Sequence, residues 1–130
     1  MPGDRWPLSE PDFDERQLEK DLAVGVEDRF LTSELISFVK EGNTGRYIVG
    51  PDFEVVLSLD AHKSIFDRTH LDRKHSFITN GSFKIDPTTH KVIFSYNYMS
   101  MRERRVIQVR DASERKIKDF LRSHGIEIKD

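Results

Sequence analysis

The amino-acid sequence predicts an α+β domain with two N-terminal helices, an antiparallel β-meander of four to six strands and a C-terminal helix packed on the sheet. Two segments with helical spacing of apolar residues come first, and alternating apolar runs between Gly-, Pro- and Asn-containing turns follow. Helical spacing of apolar residues returns near the end of the chain. An α+β fold has this order, in which helices are followed by strands and then by another helix. A chain of 130 residues is the size of one domain.

The N-terminal region combines an extended arm with a first helix. Residues 1–11 hold three of the five prolines, which favours an arm ahead of a single domain at 12–130. Asp12 and Glu15 fit a capping box, and the apolar residues that follow are spaced along one helical face. A first helix is therefore predicted near residues 12–23.

A second helix is predicted from Thr32 or Ser33, since either residue can serve as its N-cap. Its end is predicted at Gly42, because glycine tolerates the left-handed conformation that commonly closes a helix. Four apolar residues at helical spacing are expected on its buried side: Leu31, Leu35, Phe38 and Val39.

The first strands of the sheet are predicted at residues 46–49 and 53–59, where apolar side chains dominate or alternate with polar ones. The strongest hairpin signal follows at Asn80-Gly81, because both residues tolerate a positive φ. Residues 77–78 and 83–85 are therefore predicted as the two strands of that hairpin.

One turn and two further strands complete the predicted meander. Asp86 opens a turn at residues 86–89, and residues 92–101 alternate apolar and polar side chains as a long strand does. A charged turn at residues 102–105 then leads into a last strand at residues 106–109.

The C-terminal helix is predicted to open at a second capping box, formed by Asp111 and Glu114. Gly125 is expected to end it, and a short final strand is predicted at residues 126–128. Four residues are expected on its inward face: Ile117, Phe120, Leu121 and His124.

Composition excludes several classes of protein. The chain has no cysteine, which excludes disulfides, thiolate catalysis and cysteine-ligated zinc. No apolar run approaches the roughly 20 residues that span a bilayer, and the acidic N-terminus lacks the apolar core of a secretory signal. We therefore expect a cytoplasmic protein with no membrane partner. The sequence also lacks phosphate-binding glycine loops, a nucleophile elbow and helical zinc pairs. Neither a cofactor nor a metal is therefore expected.

The charges are distributed unevenly along the chain. Residues 1–60 carry 6 Lys/Arg and 14 Asp/Glu, a net of −8, whereas residues 61–110 carry 10 against 4, a net of +6. The last 20 residues balance at 5 against 5, and all five histidines follow residue 60. This asymmetry favours nucleic acid or a phosphorylated ligand as partner. Two alternatives are that the two halves neutralise each other within the fold, or that the charge matches a protein partner.

The densest group of chemically active side chains lies in residues 62–75. Histidines that can donate or accept a proton near neutral pH are His62, His70 and His75. Cationic neighbours that can hold phosphate are Arg68, Arg73 and Lys74. The combination suffices for metal-independent RNA cleavage, with the ribose 2′-hydroxyl as nucleophile, or for phosphoryl transfer through a histidine. The structural alternative is a solvated loop whose charges pair locally.

A second candidate surface lies at the end of the predicted meander. Tyr96 and Tyr98 share one face of their strand and could stack on the bases of a single strand of nucleic acid. The adjacent phosphate-binding candidates are Arg102, Arg104 and Arg105. The structural alternative packs both tyrosines into the core, with their hydroxyls at its rim.

These residues favour a metal-independent protein that binds or cleaves RNA. The alternative is a non-catalytic protein-interaction domain, such as an accessory subunit or an inhibitor whose acidic helices mask a basic partner. Compact bacterial toxin-type ribonucleases share the general layout of helices followed by an antiparallel sheet, which is a likeness of layout alone.

A third alternative comes from a resemblance. The segments DAHKSIFDR, NGSFKI and VIFSYNY follow one another in an order that resembles the small janus-type phosphohistidine phosphatases. The resemblance covers about 75 residues from residue 53 onward and implies that His62 is the catalytic base. The family's triple-glycine–arginine turn and glycine-flanked tyrosine–serine motif are missing from this chain.

Overall fold

The computed structural model describes residues 14–50, 52–59, 79–96 and 104–130, with side chains from residue 106 onward in the last range. These ranges contain three helices and five strands: α1 (Glu15–Asp21), β1 (Ala23–Val26), α2 (Thr32–Lys40), β2 (Gly45–Val49), β3 (Glu54–Ser58), β4 (Thr79–Ile85), β5 (Val92–Tyr96) and α3 (Arg104–Ser123). The predicted α+β class and the C-terminal helix are confirmed. The predicted arm at 1–11 lies outside the described residues.

The two N-terminal helices begin differently from the prediction. The N-cap of α1 is Asp14, whose Oδ1 accepts the backbone N–H of Arg16 at 2.9 Å. Thr32 is already helical in α2, and the Glu34 carboxylate accepts the N–H of Leu31 at 2.8 Å. Because Leu31 precedes the first turn, it points away from the core and is 67% exposed, so its predicted burial was wrong.

Both longer helices end at the predicted glycines. In α2 the N–H of Gly42 donates to the Val39 carbonyl at 3.0 Å, and the N–H of Asn43 donates to the Phe38 carbonyl at 3.2 Å. The same two bonds close α3, where Gly125 donates to Arg122 at 3.0 Å and Ile126 donates to Leu121 at 3.2 Å. Both glycines have φ near +90°, at +92° and +88°. These are Schellman motifs, which satisfy two of the orphan carbonyls at a helix end.

The sheet is mixed, with spatial order β1-β3-β2-β4-β5. Strand β1 pairs with β3 in parallel, and the three other pairs are antiparallel. The predicted meander was wrong because β4 pairs with β2 and not with its predecessor β3. Strand β1 was missed, since four residues with Gly25 among them are too few to show an alternation.

The predicted Asn80-Gly81 hairpin was also wrong, because both residues lie inside β4. Gly81 pairs with Tyr47 on one side and with Tyr96 on the other. A Cβ atom at Gly81 would lie 2.4 Å from the Ser95 carbonyl oxygen and 3.0 Å from the Tyr47 hydroxyl. Glycine is required here for close approach across the sheet and not for a turn.

Helix α3 replaces three predicted features. The strand predicted at 106–109 and the part of the charged turn at 104–105 were wrong, because the chain is helical from Arg104 through Ser123; residues 102–103 lie outside the described ranges. Asp111 and Glu114 lie inside this helix, so they do not form a capping box at its start. Residues at helical spacing line its fully buried side: Val106, Val109, Ala112, Ile117 and Leu121. His124 follows the helix and is exposed, contrary to its predicted inward position.

One apolar core joins the three helices to one face of the sheet. Helix α3 packs against α1, β1 and β4, and α2 packs against β1, β2 and β4. Buried strand residues on that face are Tyr47, Val49, Val55, Leu57, Phe83 and Ile85. The predicted packing of the C-terminal helix on the sheet is thus confirmed. No helix in the described ranges is both long enough and apolar enough to cross a membrane.

Candidate functional site

The structure describes three of the residues predicted to form a site. Tyr96 ends β5, while Arg104 and Arg105 are the first two residues of α3. The other predicted residues lie outside the described ranges: His62, Arg68, His70, Arg73, Lys74, His75, Tyr98 and Arg102. Their proposed roles in proton transfer, phosphate binding and stacking therefore stay predictions.

Tyr96 is held against the second turn of α3. The guanidinium carbon of Arg110 lies 4.5 Å from the centroid of the Tyr96 ring, which is the geometry of a cation–π contact. Arg110 also donates from Nε and Nη2 to Oδ1 of Asp111, at 3.0 and 2.8 Å. Tyr96 nevertheless stays 39% exposed, so part of it is open to solvent.

A carboxyl group completes the surroundings of Tyr96. The Tyr96 hydroxyl and the carboxyl group of Glu114, one helical turn after Arg110, lie close enough to interact. Burial raises the pKa of Glu114, while that interaction and the charge of Arg110 act in the opposite direction. Burial also raises the pKa of Tyr96, and its interaction with Glu114 adds to the effect. Glu114 is thus a carboxyl group that takes up a proton more readily than a free glutamate does.

Tyr47 lies beneath this group, in the middle of β2. Its ring packs edge-on against Phe94, with the centroids 6.3 Å apart, and its side chain is fully buried. Among the described residues, its hydroxyl has no hydrogen-bond partner, and neither does Oε2 of Glu114. Burial raises the pKa of Tyr47 far above its ordinary value, and the charge of Glu114 raises it further. We call Tyr47, Tyr96, Arg110, Asp111 and Glu114 the tyrosine–arginine cluster.

Of this cluster, sequence patterns identified only Tyr96 and the presence of several arginines after its strand. Arg110 and Glu114 are four residues apart, a spacing that places them on one face of a helix. That signal was concealed because residues 106–109 were predicted as a strand, which separated Arg110 from the helix. Tyr47 carried no local sign of a polar role, since it is followed by Ile48 and Val49 in a short strand pattern.

Glu114 makes the stability of the protein depend on pH. Its raised pKa means that the folded protein holds this proton at pH values where the unfolded chain, with a pKa near 4.5, has released it. At this site the free energy of unfolding therefore falls as pH rises from the unfolded toward the folded pKa. We expect Glu114→Gln to remove this decrease. The free energy of unfolding of the variant, relative to that of wild type, should therefore increase as pH rises from 4 to 7.

Urea unfolding at a series of pH values measures this effect. Glu127→Gln is the matched control, because it removes an exposed glutamate charge beyond the end of α3. A stability difference between Glu114→Gln and wild type that is constant with pH, or that favours wild type more at pH 7, would contradict the prediction.

Ion pairs neutralise part of the basic surface of α3. Nε of Arg115 lies 2.5 Å from Oε1 of Glu19, which joins the acidic first half of the chain to α3. Arg122 contacts both Asp130, at 2.5 Å, and Asp119, at 3.4 Å. Such exposed pairs contribute little stability, about 0–1 kcal/mol each. They nevertheless reduce the positive charge that this part of α3 presents to a partner.

The comparisons with known proteins identify no relative. No protein-family model, curated protein or solved structure matches this chain. Across the described ranges, no group of three or more histidine and carboxylate side chains is placed to hold a metal ion. Any functional inference therefore depends on the chain's own residues.

Proposed function

We propose that the protein binds single-stranded RNA at the tyrosine–arginine cluster. The observation that carries the proposal is the Tyr96 ring, which is partly exposed but held in place by Arg110 and Glu114. Proteins that bind single strands stack bases on aromatic rings and follow the phosphates with cationic side chains. A ring whose orientation is already restricted loses less conformational entropy when a base stacks on it.

The start of α3 supplies the phosphate-binding part of the proposal. Arg104 and Arg105 lie in its first turn, which contains no acidic residue. The N-terminus of a helix carries a partial positive charge, so two further cations there are unfavourable for the isolated protein. A bound phosphate relieves that repulsion, and helix N-termini and arginines both recognise phosphate oxygens.

Cleavage of the bound RNA is a further step of the proposal. It requires at least one of His62, His70 and His75 to take the proton from the ribose 2′-hydroxyl, and an acid to protonate the leaving oxygen. Arg68, Arg73 and Lys74 would then stabilise the charge that develops on the phosphate. Binding at the tyrosine–arginine cluster is proposed independently of that chemistry.

Fluorescence anisotropy with a labelled single-stranded RNA tests the binding. We expect Tyr96→Ala to weaken affinity by about 5- to 150-fold, the cost of losing one stacked base. Tyr96→Phe keeps the ring and its contact with Arg110, so it should bind more tightly than Tyr96→Ala. Ile93→Ala is the matched control, because Ile93 is 42% exposed on the opposite face of the same strand.

The salt dependence of the same measurement tests the phosphate contacts. For single strands the logarithm of affinity falls with the logarithm of salt concentration, with a slope of about −0.7 per neutralised phosphate. Arg105→Gln is expected to make the slope shallower by about that amount. If wild type binds no single-stranded RNA at low salt, or if Tyr96→Ala binds as tightly as wild type, the proposal is wrong.

A protein-interaction domain is the second candidate function. It is favoured by the ion pairs of Arg115 and Arg122, which reduce the charge available for nucleic acid, and by the exposed side chains of Leu31 and Ile93. Capture of one stoichiometric protein partner, together with no RNA binding by the purified chain, would favour this function. A phosphohistidine-phosphatase-like activity stays a prediction that depends on His62.

A further inference from the structure

A groove lies at the opposite end of β5 from Tyr96. It has a volume of about 440 Å³ and is formed by the end of α2, the β4–β5 turn and the segment that follows α3. Its apolar lining comes from Ile85, Pro87 and Ile126. This volume falls within the range of small-molecule sites, about 300–1,000 Å³. The groove shares no lining residue with the tyrosine–arginine cluster.

The C-termini of two helices meet at this groove. Gly42 and Gly125, the glycines of the two Schellman motifs, both line it. A helix C-terminus carries about half a negative charge on its last carbonyl groups. The motifs satisfy only two of those carbonyls in each helix, so the ends of α2 and α3 both place partial negative charge near the same cavity.

Two carboxylates add to that negative charge. Glu41 and Glu127 line the groove beside the two glycines, and Lys40 and His90 line it as well. Within the described ranges these four side chains form no ion pair, although opposite charges share one cavity. On the outer side of α3 the opposite charges do pair, as Arg115 does with Glu19. The charges around the groove thus remain available to a ligand.

From this arrangement we infer that the groove binds a small ligand with a primary ammonium group on an apolar body. The ammonium is held by the two helix C-termini with Glu41 and Glu127, and the apolar body covers Ile85, Pro87 and Ile126. Apolar amino acids and simple aliphatic monoamines share this chemistry. In an amino acid the additional carboxylate is held by Lys40 and by a ring N–H of His90.

Isothermal titration calorimetry with three ligands that share a 3-methylbutyl group tests the inference. 3-Methylbutylamine carries the ammonium alone, leucine carries the ammonium and a carboxylate, and 4-methylpentanoate carries the carboxylate alone. We expect the amine, the amino acid or both to bind, and 4-methylpentanoate to bind at least tenfold more weakly than the better of the two. Leucine binding more tightly than the amine identifies an amino acid as the ligand, and the reverse identifies a monoamine.

Variants of exposed residues assign the binding to the groove. Glu127→Gln and Glu41→Gln should each weaken binding of the ammonium ligand by about tenfold, as expected for the loss of one charged partner. Lys40→Met should weaken leucine binding and leave 3-methylbutylamine unaffected. Asp52→Asn is the matched control, since Asp52 is an exposed acid between β2 and β3 and does not line the groove.

Three outcomes would overturn the inference. They are no binding of either ammonium ligand, binding of 4-methylpentanoate as tight as that of the better ammonium ligand, and affinities that Glu127→Gln and Glu41→Gln leave unchanged. RNA binding at the tyrosine–arginine cluster is measured separately with Tyr96→Ala, so failure at one site does not decide the other.

Discussion

Gly81→Ala is expected to destabilise the protein by about 3 kcal/mol, the upper end of the usual range for overpacking, because a new Cβ in a closely paired sheet forces the backbone to move. The new Cβ would lie 2.4 Å from the Ser95 carbonyl oxygen, a backbone atom that cannot rotate away. It would also lie 3.0 Å from Cε1 and from the hydroxyl of Tyr47. The measurement is the free energy of unfolding in urea.

Gly25→Ala is the matched control for Gly81→Ala. Both glycines lie in strands, but at Gly25 no atom of the other described residues, apart from its chain neighbours, lies within 4 Å of the Cβ position. Alanine there should leave stability unchanged or raise it by about 0.5–1 kcal/mol, because glycine loses more backbone entropy on folding. Equal losses in the two variants would mean that close contact at Gly81 is not what requires a glycine there.

Phe83→Ala is expected to cost about 3–5 kcal/mol, the usual range for removing a buried phenylalanine ring. Phe83 is 1% exposed and packs against the rings of Tyr47 and Phe94, with both centroids 6.5 Å away. Its ring also covers Gly45 on the neighbouring strand, where a Cβ would lie 2.6 Å from Cζ. The substitution leaves both a cavity and an uncovered strand backbone.

Ile93→Ala provides the comparison for Phe83→Ala on the next strand. Ile93 is 42% exposed on the opposite face of the sheet, so its truncation should cost less than about 1 kcal/mol. Thermal or urea unfolding of both variants gives the difference. If Phe83→Ala loses as little stability as Ile93→Ala, this aromatic group does not contribute a large part of the core's stability.

Local sequence signals predicted several elements correctly. The glycine ends of α2 and α3 were recognised because a positive φ at a helix end strongly favours glycine. The turn at residues 86–89 was recognised because Asp86 can accept hydrogen bonds from the backbone that follows it. Its Oδ1 indeed accepts the N–H of Thr88 at 2.8 Å. Each of these features depends on residues within a few positions of one another.

Predictions failed where one local pattern fits two structures. Asn80-Gly81 suits a tight turn, but it also permits the close approach of Tyr47 that occurs in β4. Val106 and Val109 suit a short strand, but their spacing of three also suits a helix, and both are buried in α3. In each case the partner across the core decided between the two structures.

The same distinction applies to the tyrosine–arginine cluster. Tyr96 could be proposed from its position in an aromatic strand, and Arg110 and Glu114 share one face of a helix by their spacing alone. Their meeting with Tyr96 depends on how α3 lies against β5, and Tyr47 joins them only because β2 pairs with β4. Burial, which raises the pKa of Glu114 and of Tyr47, arises from that packing.

Residue order and local chemistry were therefore enough to specify the α+β class, the helix ends and the surplus of positive charge in residues 61–110. Strand order, the identity of β1 and the composition of both proposed sites depend on contacts between segments far apart in the chain. Such contacts are selected by the burial of apolar area and by close packing over the whole molecule. Neither property is visible in a window of a few residues, so only the folded chain reveals them.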